Sequence, residues 1–455
     1  MKMYDESILF GREVMRQEIN ESDLINKTQL KIEITSGFVK RKEKEYCRRC
    51  NASVYPIPHN ECYCKQPCTY CTNCIQMGKV RRCSKFYHLP EPNLFKKSAE
   101  PILQWKGTLS QQQEEASKEI VQSIEQNETR LLWAVAGAGK TEMLFSGIET
   151  AIRQNKRICL ASPRVDVCLE LAPRIRKAFP TVTTNVLYGE METAYTYTQL
   201  VIATTHQLYR FKEAFDLLII DEIDAFPYKV DDSLQFAAEK SRKKESALIY
   251  LTATPDRNYQ KKIRQHKISA SILPARYHGH PLPIPVKVKE SEWKRRLLNN
   301  TYKTKIYKKI KELLRLEKRF LLFVPNIKWM NQFELVLRKC IPGARFEAVH
   351  SEDTERKKKV QKMRDEKLEF LITTTILERG VTFKNIDVLV IGADDPIYTE
   401  SALVQIAGRV GRSPDYPTGE VIYYHDGLTR DIKRAIKQIQ RMNRIAKSKG
   451  LIKNE

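Results

Sequence analysis

Short apolar runs of strand length recur along most of this chain, separated by segments whose polar and apolar positions read as helix. Between 102 and 283 the runs fall at 131–135, 158–161, 200–203, 217–220 and 247–251. Between 284 and 455 they fall at 320–324, 346–349, 370–373, 388–391 and 421–424. They are continuous, not alternating, which fits strands covered on both faces by crossover helices. The pattern predicts two α/β units with parallel sheets, in tandem. His280-Pro281-Leu282-Pro283-Ile284-Pro285 interrupts regular structure between them and reads as a linker. Residues 1–45 are polar and mixed, with one weak β-type run near 30–34, and they carry no recognisable chemistry. A cysteine-rich island spans 46–85. The stretch 86–101, with Pro90, Pro92 and Pro101, reads as a connector.

Composition adds a partner class. Lys and Arg outnumber Asp and Glu by 79 to 55, a formal net charge of +24. So basic a chain suits a polyanion, whose phosphates release counterions when neutralised. Cations cluster at Lys294-Arg295-Arg296, at 303–311 and at 356–359. A positively charged groove is the favoured reading, with an anionic membrane surface as its rival. No apolar run approaches the roughly 20 residues of a membrane span, and Met1-Lys2-Met3-Tyr4-Asp5-Glu6-Ser7 has no apolar signal core. These features predict a cytoplasmic protein.

The most informative motif is Ala134-Val135-Ala136-Gly137-Ala138-Gly139-Lys140-Thr141, between an apolar run and a helix-like segment. A strand, a glycine turn and a helix start aim backbone N–H groups at one point, which suits a phosphate. Ala136, Gly137, Ala138 and Gly139 would cradle it, Lys140 would reach the β- and γ-phosphates, and Thr141 would hold Mg²⁺. A plain glycine turn would not explain Lys-Thr at that offset. Asp221-Glu222-Ile223-Asp224 follows the run ending at Ile220. Asp221 at a strand's end would hold Mg²⁺ through water, and Glu222 would polarise the attacking water. Gln405-Ile406-Ala407-Gly408-Arg409-Val410-Gly411-Arg412 places two guanidiniums three apart, on one face if the segment is helical. Arg409 and Arg412 would stabilise charge on a transferring phosphoryl group. Two glycines inside a helix would cost about 1 kcal/mol each, so close packing against a neighbour is expected there.

In this order the motifs resemble the core of a superfamily 2 helicase. Motif I matches 134–141, motif II 221–224, motif III Thr252-Ala253-Thr254, and motif VI 405–412. Motif V resembles 373–381, Ia resembles Ser162-Pro163-Arg164, and Ib resembles Thr204-Thr205-His206. Trp105 with Leu109-Ser110-Gln111-Gln112-Gln113 is similar to an adenine-reading Q-motif, with Gln113 its glutamine. The resemblance implies two RecA-like domains, 102–283 and 284–455, with ATP between them and nucleic acid across both. In that picture Arg409 and Arg412 reach over from the second domain, and Arg164, Thr205 and Thr374 donate to the nucleic-acid backbone.

Eight of the eleven cysteines lie between 47 and 83. Cys47-Arg48-Arg49-Cys50 and Cys71-Thr72-Asn73-Cys74 are two Cys-x-x-Cys knuckles, a spacing that matches a four-thiolate Zn²⁺ site. Cys68-Thr69-Tyr70-Cys71 is also a Cys-x-x-Cys, and Cys62, Cys64, Cys83 and His59 are further ligand candidates. They are enough for a second metal. One Zn²⁺ on Cys47, Cys50, Cys71 and Cys74 gives the cleanest pair and is the favoured set. The cations Arg48, Arg49, Lys65, Lys79, Arg81 and Arg82 around the knuckles suggest that the island meets nucleic acid. Cys159, Cys168 and Cys340 read as buried small hydrophobes.

A four-cysteine module ahead of a superfamily 2 core resembles the late competence DNA-uptake ATPases of Gram-positive bacteria. The stretch 71–79, Trp105-Lys106-Gly107-Thr108-Leu109, 162–168 and 221–227 carry that likeness. It implies an ATP-driven motor on single-stranded DNA at the inner face of the cell membrane, peripheral and without a span of its own. Its partners would be cytoplasmic competence proteins, the membrane DNA-uptake channel and other copies of itself. The alternative is a primosomal-type replication-restart helicase, in which the cysteines are expected inside the helicase core. An RNA helicase of the DEAD-box kind fits less well, because motif II reads Asp-Glu-Ile-Asp and motif VI starts at Gln405. A scaffold with a dead ATPase core is opposed by Lys140, Asp221, Glu222 and Arg412.

Overall fold

The computed structural model describes residues 6–18, 31–54, 62, 64–65, 68–189, 195–299 and 301–453. Leu30 and His59 lie outside these residues. The chain divides into two compact units. The first contains Met1–Leu132 and Thr141–Ser271, and the second contains Ile272–Glu455 together with the short segment Trp133–Lys140.

The first unit begins with small antiparallel sheets. Strands β1 (Val14–Met15), β2 (Glu33–Ser36) and β5 (Lys85–His88) form one, in the order β1-β5-β2. Strands β3 (Phe38–Arg41) and β4 (Lys44–Cys47) pair as a hairpin that delivers Cys47. A seven-stranded sheet follows, in the order β12-β6-β11-β10-β7-β9-β8. Its strands are β6 (Thr129–Ala134), β7 (Ile158–Ser162), β8 (Thr184–Leu187), β9 (Leu200–Thr204), β10 (Phe215–Ile220), β11 (Arg242–Thr252) and β12 (Ser269–Leu273). The ladders joining β11, β10, β7, β9 and β8 are all parallel. In consequence the motif residues of this half all emerge at strand C-terminal ends, where open α/β sheets place their ligands.

The second sheet has the order β13-β18-β17-β14-β16-β15 and is parallel throughout. Its strands are β13 (Val286–Lys289), β14 (Arg319–Phe323), β15 (Phe346–Val349), β16 (Phe370–Thr373), β17 (Ile386–Ile391) and β18 (Val421–His425). Phe320, Phe370 and Phe346 stack across three neighbouring strands, with centroids 4.5 and 4.6 Å apart.

All ten predicted runs are strands. Within the two large sheets sequence reasoning missed β8, β12 and β13, and each is an edge strand. Edge strands bury one side only. Thr184-Asn185-Val186-Leu187 alternates between buried and half-buried, and Val286-Lys287-Val288-Lys289 has no fully buried side chain. Neither produces the continuous apolar run that marks a doubly covered strand.

Both presumed linkers are bonded into their units. In the connector, Glu91 forms a fully buried ion pair with Arg157, at the entry to β7. Arg157 also donates to the carbonyls of Phe10 (3.0 Å) and Thr198 (3.2 Å). In the second stretch, Leu282 and Asn443 exchange two hydrogen bonds of 2.8 Å.

Candidate functional site

The glycine loop has the conformation its sequence predicts. Gly137 (φ 84°) and Gly139 (φ 73°) occupy the left-handed region that side chains avoid. Ala138 N–H donates to Val135 O (3.1 Å), tightening the turn, and a helix starts at Lys140 with Thr141 buried behind it. Beside the loop lies Arg276, a residue that sequence reasoning overlooked. Its Cγ stands 3.5 Å from where a Gly137 Cβ would be. Arg276 is 1% exposed, and Nη1 donates to Gly411 O at 2.5 Å. Its Nε and Nη2 have no partner among the described residues. Burial, then the charge of Arg412, pushes its pKa down to about 9, so it remains a cation at neutral pH. Its neighbour His278, pushed down to about 4 mainly by burial, is neutral there.

The acidic motif sits at the end of β10. Asp221 N–H donates to Ala161 O (2.8 Å), and Asp221 Oδ1 accepts from Glu222 N (2.8 Å). Glu222 has φ 57°, an uncommon and strained conformation for a non-glycine residue that takes the backbone off the strand path. Asp224 is the residue here that sequence reasoning left without a role. It is buried and accepts from Thr252 Oγ1 (2.7 Å) and Thr254 Oγ1 (2.5 Å). Motif III is therefore bonded directly to motif II. Acid-to-hydroxyl complementarity at the ends of adjacent strands was the signal that could have found it.

Gln113 stands on the first turn of the helix Gln111–Glu125. Its Oε1 accepts Ser110 N–H at 2.8 Å, so the side chain takes part in a capping arrangement. Thr205 is fully buried in a 3₁₀ turn, which removes its hydroxyl from any strand crossing the surface.

Motif VI also differs. The helix stops at Ala407, so Arg409 and Arg412 stand on a turn, not on one helical face. Gly411, at φ 68°, breaks the helical path. The reason for glycine is close approach. A Cβ on Gly411 would lie 2.2 Å from Pro417 O, and one on Gly408 would lie 2.5 Å from Ala136 Cβ. Arg409 is buried and donates to Glu378 O (2.9 Å) and to Val381 O, both in motif V. Arg412 Nε donates to Gly408 O (3.0 Å).

The cysteine island brings its expected ligands together. Cys47, Cys50, Cys71 and Cys74 are buried, with their sulfurs mutually within 4.8 Å. Cys47 and Cys74 are 3.8 Å apart and Cys50 and Cys71 are 3.6 Å apart. A tetrahedron with metal–sulfur bonds near 2.3 Å has edges of about 3.8 Å, so the four thiols fit one Zn²⁺. Arg49 is not a nucleic-acid contact. It is buried and clamps the second knuckle through Met77 O (2.8 Å) and Gly78 O (2.9 Å). Arg82 pairs with Glu45 at 2.7 Å. The knuckle also reaches the helicase half of its unit. Asn73 Nδ2 donates to Ser233 Oγ (3.0 Å), which is 2.6 Å from Tyr209 of the motif Ib turn. By contrast Cys159 and Cys168 are single buried thiols whose pKa values burial raises, Cys168 to about 12.

Three family models match in sequence order: the competence protein ComFA N-terminal domain over 2–88, the type III restriction enzyme res subunit over 106–257, and the helicase conserved C-terminal domain over 305–414. The competence protein ComFA of Bacillus subtilis is 41% identical over 447 residues, covering 96% of this chain and 95% of that protein. The ComFA of Streptococcus pneumoniae is 40% identical over 427 residues, covering 94% and 96%. Among solved structures, Saccharomyces cerevisiae Dbp5 bound to RNA and ADP BeF3 superposes with a TM-score of 0.52 at 14% identity, over 76% of this chain and 93% of that one. That likeness concerns the fold, which is two RecA-like parallel-sheet domains.

Proposed function

The chain belongs to the competence protein ComFA family and is an ATP-hydrolysing superfamily 2 enzyme; from that premise we propose that it moves along single-stranded DNA and drives uptake of transforming DNA. The observation that carries the reading is the union of a four-thiol module with the helicase core, matched over nearly the whole chain by the two ComFA relatives. A replication-restart helicase would not account for the module lying ahead of the core.

In this reading Ala136, Gly137, Ala138 and Gly139 cradle the phosphates of ATP, and Lys140 neutralises them. Thr141 and Asp221 would hold Mg²⁺, which when bound would supply Lewis-acid polarisation of the phosphoryl oxygens. Glu222 orients the attacking water, and its turned-out backbone supports that role. The two open donors of Arg276 offer a further place for a phosphate oxygen. Arg409 and Arg412 supply charge to the transferring group after rearranging from their present carbonyl partners. Gln113 reads the adenine. Asp224 passes the state of motif II to Thr252 and Thr254. Zn²⁺ on Cys47, Cys50, Cys71 and Cys74 orders the island, residues 46–85, ahead of domains at 102–283 and 284–455.

The protein would work in the cytoplasm at the inner face of the membrane, with cytoplasmic competence proteins, the uptake channel and further copies as partners. No helix among the described residues is long and apolar enough to cross a membrane. The test is ATP hydrolysis with single-stranded DNA, duplex and RNA side by side. Single-stranded DNA should stimulate most, and stimulation by RNA alone would overturn the reading. Deleting the gene should stop transformation and leave growth unchanged; a replication defect would favour the restart helicase.

A further inference from the structure

We propose that the island holds a second zinc ion, on Cys62, Cys64, Cys68 and Cys83, interleaved with the first. These four sulfurs also lie mutually within 4.8 Å. Cys62 and Cys83 are 3.5 Å apart, and Cys68 and Cys83 are 3.7 Å apart. Those separations are close to the edge of about 3.8 Å expected for a tetrahedral four-thiolate zinc. No two of the eight thiols are joined as a disulfide, so neither set is a pair of crosslinks.

The backbone is built around the second set as it is around the first. At the first, Asn51 (φ 60°) turns back and donates to Cys47 O at 2.8 Å. At the second, Lys65 (φ 57°) turns back and donates to Cys62 O at 2.9 Å. A left-handed residue closing a turn onto a cysteine carbonyl is the local shape of a metal knuckle. The other two ligands are brought together by a bridge between Tyr70 and Arg81 and by Arg82 N–H donating to Thr69 O (3.0 Å).

The chain order decides how the sets relate. Cys47 and Cys50 belong to the first site, then Cys62, Cys64 and Cys68 to the second, then Cys71 and Cys74 to the first, then Cys83 to the second. The Cys68-Thr69-Tyr70-Cys71 pair, which resembles a knuckle in sequence, is divided between the two sites. Each site closes a loop that contains ligands of the other. Such cross-bracing suits a segment with almost no apolar core. Apart from its cysteines, Val80 is the single buried aliphatic side chain among the described residues of 48–82. A segment that buries so little cannot order itself by hydrophobic burial, and metal binding is the usual substitute.

Four thiolates in tetrahedral array select zinc or a single iron, and no oxygen or nitrogen ligand belongs to the set to favour a harder metal. Each thiol loses its proton on binding. The resulting centre is anionic. The proposal does not depend on whether DNA is the track.

The experiment is zinc and iron content of the purified full-length protein by plasma mass spectrometry. Two zinc ions per chain are expected, falling to one in the double variant Cys62→Ser, Cys83→Ser. One zinc in the wild type, two retained in that variant, or one zinc with one iron would overturn the proposal. No zinc at all would remove the first site as well. If the variant fails to fold, titrating the wild type with a mercurial and a zinc indicator still decides the count.

Discussion

The cysteine island and the seven-stranded sheet share one compact unit but are held by different physics. In the sheet, β7, β9 and the last residues of β10 are buried almost without exception. Stability there is spread over many contacts, and no single group is indispensable. The described residues of the island offer eight thiols and a single valine in place of a core. Its order is concentrated in a few bonds to groups supplied from outside the chain. Asn73 ties the island to Ser233, and the segments on either side of it are tied down by Lys240 to Glu13, Lys212 to Glu33, and the buried pair of Glu91 and Arg157.

The largest expected effect separates the regions. Structural zinc contributes on the order of 10 kcal/mol to folding of small metal modules. Chelation should therefore expose amides between 47 and 83 to hydrogen exchange while β7, β9 and β10 stay protected. Equal loss in both regions would show that the sheet depends on the metal too.

Next come the ties. Glu91→Ala leaves the Arg157 charge buried without its carboxylate, which should cost about 3–5 kcal/mol in denaturant unfolding. The matching change at the exposed pair of Glu100 and Arg153 should leave the unfolding transition nearly where it was. Lys140→Ala should lower kcat for ATP hydrolysis by about 100-fold or more with zinc content and melting temperature unchanged, which would sharpen the separation from the catalytic side. Arg276→Ala removes charge-assisted donors worth about 1.5–3 kcal/mol. It should raise KM for ATP about tenfold or more, and Arg276→Lys should recover part of it. A smaller effect than at Glu91 is expected of Asn73→Ala, about 1 kcal/mol of stability. A larger loss of DNA-stimulated turnover than of stability would make this bond a line of communication.

The two regions were also unequally legible. Continuous apolar runs located every doubly covered strand, and glycine spacing located the turn at Gly137 and Gly139. Edge strands such as β13 escaped because half-exposed positions carry Lys. Helix periodicity misplaced Arg409 and Arg412, because only the fold reveals that Gly408 and Gly411 admit Ala136, Pro417 and Arg276 so closely. Cys-x-x-Cys spacing found the first four thiols, yet it could not show that Cys68 and Cys71 part company, since sorting eight ligands into two sets depends on three-dimensional distance. Arg276 went unassigned because it lies in no motif that linear spacing reveals, and Asp224, although within motif II, because its partners Thr252 and Thr254 meet it only across adjacent strands.

The sealed ion pair in the connector has a mechanical consequence. A free tether would let the island trail behind a moving motor and would dissipate displacement as slack. Glu91 and Arg157 act instead as a rivet at the root of β7, in the same sheet as β6, the strand that leads into the glycine loop. If the protein is the motor proposed above, any rotation of that sheet during a stroke would be inherited by the island as by a lever arm fixed to its axle. A load applied at the island would likewise be returned to the sheet whose β6 leads into the glycine loop.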